Sequence, residues 1–167
     1  MNPQKIVILR HGEKTTDATD EHLSLAGYQR AAALAPMLDT DYPGIVAIYA
    51  AGIAAGSTSY RPLETITPLA ERVGVTPIIN YPKDGWQGMV TENQKAQAYT
   101  QGIVVICWVH DEIPDIAQAL GAPKTKWPSG RYDVLWILDF TSGKLQFLQE
   151  PQLLMYGDQA LAAPTSA

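Results

Sequence analysis

Two of the three histidines in this 167-residue chain stand directly behind apolar runs, each with further ionisable side chains beside it. His11 follows Lys5–Arg10 (KIVILR) in Arg10-His11-Gly12-Glu13-Lys14, and His110 follows Ile103–Val109 (IVVICWV) in His110-Asp111-Glu112. A third piece, Ser57 to Thr65, carries Arg61 behind a loop of small residues. Guanidinium forks and helix N-termini both bind tetrahedral anions. Two arginines and two histidines around one crevice would repel one another unless an anion filled it, and a phosphate supplies that charge.

Other chemistries fail on spacing. His11-Gly12-Glu13 matches half of a zinc-deaminase signature, but the other half needs two cysteines and only Cys107 exists. Cys107 lacks the arginine that follows a phosphatase cysteine, and its apolar neighbours make it a core residue. Gly52 to Thr58 echoes a phosphate loop without its lysine or its length. A metal set drawn from His11, Glu13, His22 and His110 has neither H-x-x-x-H nor H-E-x-x-H spacing, so no metal and no other cofactor is expected. With 12 Lys+Arg against 17 Asp+Glu there is no basic surplus for nucleic acid. No segment has the length of an apolar membrane span. The lone cysteine and the absence of a signal-type apolar region behind Met1 favour a cytoplasmic protein.

The elements that must position these groups follow from periodicity. Lys5–Arg10, Ile45–Ala51 and Ile103–Val109 predict buried parallel strands, and Thr76–Asn80 a weaker one. Helices are predicted from about Leu23 to Leu38 behind an N-cap at Ser24, over Pro62–Val73 stopped by Gly74, over Glu92–Thr100, and over Ile113–Leu120 ended by Gly121. Asp133–Phe140 and Lys144–Gln149 flank Thr-Ser-Gly as an antiparallel hairpin. The expectation is a three-layer α/β/α sandwich with a mostly parallel central sheet, one domain over residues 1–156, and a flexible tail over 157–167. In such sheets ligands bind beyond the carboxyl ends of the strands, where both histidines are delivered.

Leu9-Arg10-His11-Gly12-Glu13-Lys14 resembles the signature of the histidine phosphatase (phosphoglycerate mutase-like) superfamily. Leu23-Ser24-Leu25-Ala26-Gly27-Tyr28-Gln29-Arg30-Ala31 is similar to its L-(S/T)-x-x-G-x-x-(Q/R)-A helix, and Ser57 to Thr65 to its S-x-x-x-R-x-x-x-T segment. Val104 to Leu120, with His110, resembles its closing strand–His–helix, so the likeness spans roughly residues 5–121. It implies a small, bacterial-type, single-domain phosphatase. His11 would be the nucleophile that becomes phosphorylated, with Arg10, Arg61 and His110 holding the phosphoryl group. Lys14, Glu13 and Ser57 are candidate substrate contacts. Gly85-Trp86-Gln87-Gly88 has glutamine where many members carry a general-acid glutamate. The acid is then expected at Asp111, with Asp84 and Glu112 as alternatives and an N-cap role open for Asp111. The expected substrate is a phosphomonoester, with a protein phosphohistidine or silent phosphate binding as alternatives. The residues leave the oligomeric state undefined.

Overall fold

In the computed structural model, which describes residues 3–54 and 56–161, the apolar runs form the strands they predict. The order is β1 (Lys5–Arg10), α1 (Leu25–Asp41), β2 (Ile45–Ala50), α2 (Arg61–Val73), α3 (Trp86–Lys95), β3 (Ile103–Trp108), α4 (Ile113–Ala119), β4 (Val134–Asp139) and β5 (Gln146–Pro151). The sheet runs β2-β3-β1-β4-β5. β2, β3 and β1 are parallel, while β4 is antiparallel to β1 and β5 to β4.

Successive side chains of a strand point to opposite faces, so each central strand feeds two cores. Ile6, Ile8, Val104, Ile106 and Trp136 pack against Met89 and Val90 of α3 and Ile113 and Ile116 of α4. Val7, Leu9, Val105, Cys107 and Ile137 pack against Leu34 and Leu38 of α1 and Ile66 and Leu69 of α2. Two apolar faces covered by helices give the three layers. Cys107 is fully buried among them, as its sequence neighbours imply. Among the described residues, no helix is long and apolar enough to cross a membrane.

The helix caps follow local chemistry. Ser24 Oγ accepts from the Gly27 amide at 3.1 Å at the start of α1, and Gly74 ends α2 in the left-handed conformation with φ +69°. Two expectations shift. The third helix starts at Trp86 rather than Glu92, because Gly85 and Gly88 read as turn residues in sequence. Gly88 is instead a packing glycine inside the first turn: a Cβ there would lie 2.7 Å from the Tyr81 ring. Thr76–Asn80 forms no strand but a single parallel bridge from Ile78 to Tyr49. That bridge needs a close backbone approach at Gly52, whose amide donates to the Tyr81 carbonyl at 2.7 Å. A Cβ on Gly52 would lie 1.9 Å from the Ile79 carbonyl oxygen. Gly52→Ala is therefore expected to destabilise the fold by about 1–3 kcal/mol in urea unfolding, since backbone must move to admit it.

Candidate functional site

Parallel pairing of Arg10 with Trp108 brings the ends of β1 and β3 side by side. The His11 amide continues the ladder by donating to the Trp108 carbonyl at 3.1 Å. The two strands thus deliver His11 and His110 to one cavity of about 490 Å³, lined also by Lys14, Arg61, Ser57 and Asp111.

His11 is 1% exposed. Its Nδ1 lies 2.7 Å from the Gly12 carbonyl oxygen, which can only accept, so Nδ1 carries the proton and Nε2 the lone pair. The turn is fixed from α2: the Gly12 amide donates to Thr65 Oγ1 at 2.8 Å, and that hydroxyl donates to the Arg61 carbonyl at 2.7 Å. Thr65, buried inside the helix, links the turn at His11 to Arg61.

Arg61 opens α2 and is held by carbonyls of the preceding loop. Its Nε donates to the His22 carbonyl at 3.1 Å and its Nη2 to the Asp20 carbonyl. That loop is in turn tied to α2, since Glu64 accepts from the His22 ring at 2.5 Å and from the Leu23 amide at 2.9 Å. His22 also stacks on Tyr60, with ring centroids 4.8 Å apart. His110 Nε2 lies 3.1 Å from Asp111 Oδ1, within ion-pair distance when the imidazole is protonated. The N-cap position of α4 is Glu112, without a side-chain bond, so Asp111 does not cap that helix.

Burial pushes the His11 pKa from 6.5 down to about 3; Arg10, Arg61 and Lys14 add to this, against the Gly12 hydrogen bond. Burial also lowers His110, with Arg10 and Lys14 acting in the same direction and Asp111 opposing. His11 is therefore neutral at pH values well above about 3. Between pH 6.5 and about 3 the unfolded chain takes up a proton at His11 that the native chain refuses. The stability this group contributes is intact above pH 6.5 and is lost as the pH falls toward 3. Urea midpoints are expected to fall on acidification, with a slope of up to about 1.4 kcal/mol per pH unit from His11, and His11→Gln should flatten it.

Glu13, a candidate substrate contact from the sequence, does not line the cavity: both its oxygens accept from Arg30, at 2.7–3.1 Å. Asp84 is likewise outside the cavity, exposed in a short 3-10 helix over Lys83–Gly85, whereas Glu112 lines it. Ser57 lines it too, in a turn closed by reciprocal backbone bonds with Ala54 at 2.8–2.9 Å. Among the described residues, no three His, Cys, Asp or Glu side chains gather as a metal would require.

Sequence reasoning missed the layer behind the site. Arg30 is 3% exposed and also binds Asp158, at 2.8 and 3.1 Å, and Gln152 Oε1 at 2.8 Å. Asp158 and Gln159 fall in the segment expected as a tail, where Gln159 donates to Asp133 at 2.9 Å; residues 162–167 lie outside the described residues. Arg30 stands at the (Q/R) position of the α1 motif, the one signal that marked it. Tyr132, whose ring lies 3.9 Å from the Arg10 guanidinium carbon, carried no signal.

The fold resembles solved structures of one kind. The protein histidine phosphatase SixA, complexed with tungstate, is 17% identical with a TM-score of 0.63, over 89% of this chain and 97% of that one. A mycobacterial glucosyl-3-phosphoglycerate phosphatase in complex with inorganic phosphate is 16% identical at 0.56, over 88% and 95%. A phosphoglycerate mutase from Plasmodium falciparum is 15% identical at 0.55, over 100% and 98%. No protein-family model matches the chain, and no curated protein sequence matches it. The chain has the fold shared by histidine phosphatases and phosphoglycerate mutases.

Proposed function

We propose that this chain, with its histidine phosphatase fold, is a phosphatase that hydrolyses a phosphomonoester through a phosphohistidine on His11. The observation that carries the reading is a neutral, buried imidazole with a free Nε2, set in a cavity with Arg61 and Lys14 and directly beside Arg10. Cations near the imidazole disfavour its protonation, which keeps the lone pair available for attack. Phosphoryl transfer asks mainly for positioning and charge stabilisation, and this cavity offers both.

In the first step His11 Nε2 bonds to phosphorus while the bond to the leaving oxygen breaks. Arg10, Arg61 and His110 take the charge of the phosphoryl oxygens, with Lys14 and Ser57 as further contacts. Asp111, in its protonated form, gives its proton to the leaving oxygen. Water then attacks phosphorus, the P–N bond breaks, and phosphate and neutral His11 are regenerated as the water's proton returns to Asp111.

The acid assignment makes a prediction by leaving group. Asp111→Asn is expected to slow an alkyl phosphate about 100-fold, because alkoxide departure needs the proton. p-Nitrophenyl phosphate, which leaves as a stable phenolate, should slow by less than about tenfold. Steady-state kinetics on the two substrates checks this, and equal losses would remove Asp111 from the role.

A second substrate, a phosphohistidine on a partner protein, is favoured by one observation. The Asp111 side chain is 78% exposed and engaged by His110, which suits a leaving imidazole that needs little help from an acid. SixA, similar in fold, is named for that activity. The deciding experiment incubates purified protein with p-nitrophenyl phosphate and with a phosphohistidine peptide, then quenches for an acid-labile phosphoenzyme. Turnover with phosphoenzyme supports the reading and ranks the substrates. Phosphate binding without turnover of either substrate would make the domain a silent binder and overturn it.

A further inference from the structure

We infer that Tyr132 is a positioning residue that aims the Arg10 guanidinium at the phosphoryl group; this rests on the phosphatase reading above. Arg10 is 4% exposed, and among the described residues no carboxylate lies within ion-pair distance of it. Its Nη1 donates to the Arg131 carbonyl at 3.3 Å, and its buried Nε has no protein partner. The guanidinium is instead covered by the Tyr132 ring, 3.9 Å from its carbon to the centroid. Burial is the largest influence on the pKa of this arginine and lowers it.

A π face suits this position better than a carboxylate. A carboxylate would hold the arginine as firmly but would neutralise it and compete with the phosphoryl oxygens for its donors. An aromatic face stabilises and orients the cation while leaving its edge N–H groups free. The same ring packs near the nucleophile, with its centroid 6.1 Å from that of His11.

The ring sits on backbone fixed from three sides. The Tyr132 carbonyl accepts from Gln152 Nε2 at 3.1 Å. The Arg131 carbonyl that receives Arg10 also accepts from Trp127 Nε1 at 3.0 Å. The Arg131 side chain is clamped by Asp133, at 2.5 and 2.9 Å, and by the Gln159 carbonyl at 2.7 Å. This loop gives the ring a defined place, as a stacking partner for a buried cation requires.

Calorimetric titration with inorganic phosphate tests the inference without relying on turnover. Tyr132→Leu, which keeps bulk but removes the π face, is expected to weaken phosphate binding roughly three- to thirtyfold. Tyr132→Phe should recover most of that loss, since the ring rather than the hydroxyl meets Arg10. In an Arg10→Gln background, which removes the cation, the same Leu change should cost no more than about twofold, a coupling that general loosening would not produce. Should Tyr132→Leu fail to fold, Tyr132→Met takes its place in the cycle. Wild-type affinity in a folded Leu or Met variant, or an undiminished cost beside Arg10→Gln, would overturn the inference while leaving the phosphatase reading intact. Absence of phosphate binding by the wild-type chain would overturn both.

Discussion

His11→Ala is expected to lower kcat/KM for p-nitrophenyl phosphate by at least about a thousandfold and to abolish the acid-labile phosphoenzyme. The size of the effect follows from the site's economy. In the proposed mechanism Arg10, Arg61 and Lys14 bind a phosphoryl group but cannot attack it, and among the described residues no other imidazole occupies an equally enclosed position. Residual turnover would measure what electrostatic stabilisation alone achieves when water attacks directly. His110 is no substitute, being one-third exposed and paired with Asp111. Removing His11 also leaves the Gly12 carbonyl without its ring partner, so folding of the variant should be followed by circular dichroism. Retention of activity within tenfold in a folded variant would end the phosphohistidine mechanism for this chain.

The second large effect is on stability. Arg30→Met is expected to destabilise the protein by about 3–5 kcal/mol in urea unfolding, the cost of breaking a buried ion cluster from one side. The Asp158 side chain is 6% exposed and that of Glu13 is 22% exposed, so the change strands two carboxylates with little access to water. Burial alone would lower the Arg30 pKa, but its bonds to Asp158 and Glu13 raise it, which shows the pairing outweighing desolvation. For Asp158, burial pushes up while Arg30 and two backbone amides pull down, leaving its pKa below the usual value. That contribution is therefore full above pH 3.8 and is lost as the pH falls through the lower folded value. Arg30→Lys should rescue little, because one ammonium cannot reproduce a fork that bonds Glu13, Asp158 and Gln152 together. A midpoint unchanged by Arg30→Met would show that the cluster contributes nothing net.

Local sequence marked the site well where one short segment supplies both the strand and the group at its end. Arg10-His11 and Val109-His110 are of that kind: an apolar run fixes the strand, and the next residue must emerge at its carboxyl edge. Glu13 shows the limit. Its neighbours place its backbone beside the nucleophile, but Arg30, 17 residues away, decides where the carboxylate turns. Gly88 shows a second limit, since the Tyr81 ring that demands it touches it only in the folded chain. Arg30 and Asp158 are 128 residues apart and Arg10 and Arg131 are 121 apart. Contacts at such separations leave no periodicity in either segment, so the layer that orients the site emerges only from the fold.

The separation of Arg30 from Asp158 also orders events during synthesis. A ribosome that has reached residue 120 has already supplied His11, Arg10, Arg61 and His110, yet β1 still lacks its β4 neighbour. Arg30 at that moment has Glu13 but neither Gln152 nor Asp158, and Arg10 has no ring to lie against. Every group proposed for the chemistry is thus made before Tyr132, Gln152 and Asp158, the groups against which Arg10 and Arg30 rest. The nascent chain carries a loose constellation of reactive side chains that becomes a shaped site only when the last strands close on it.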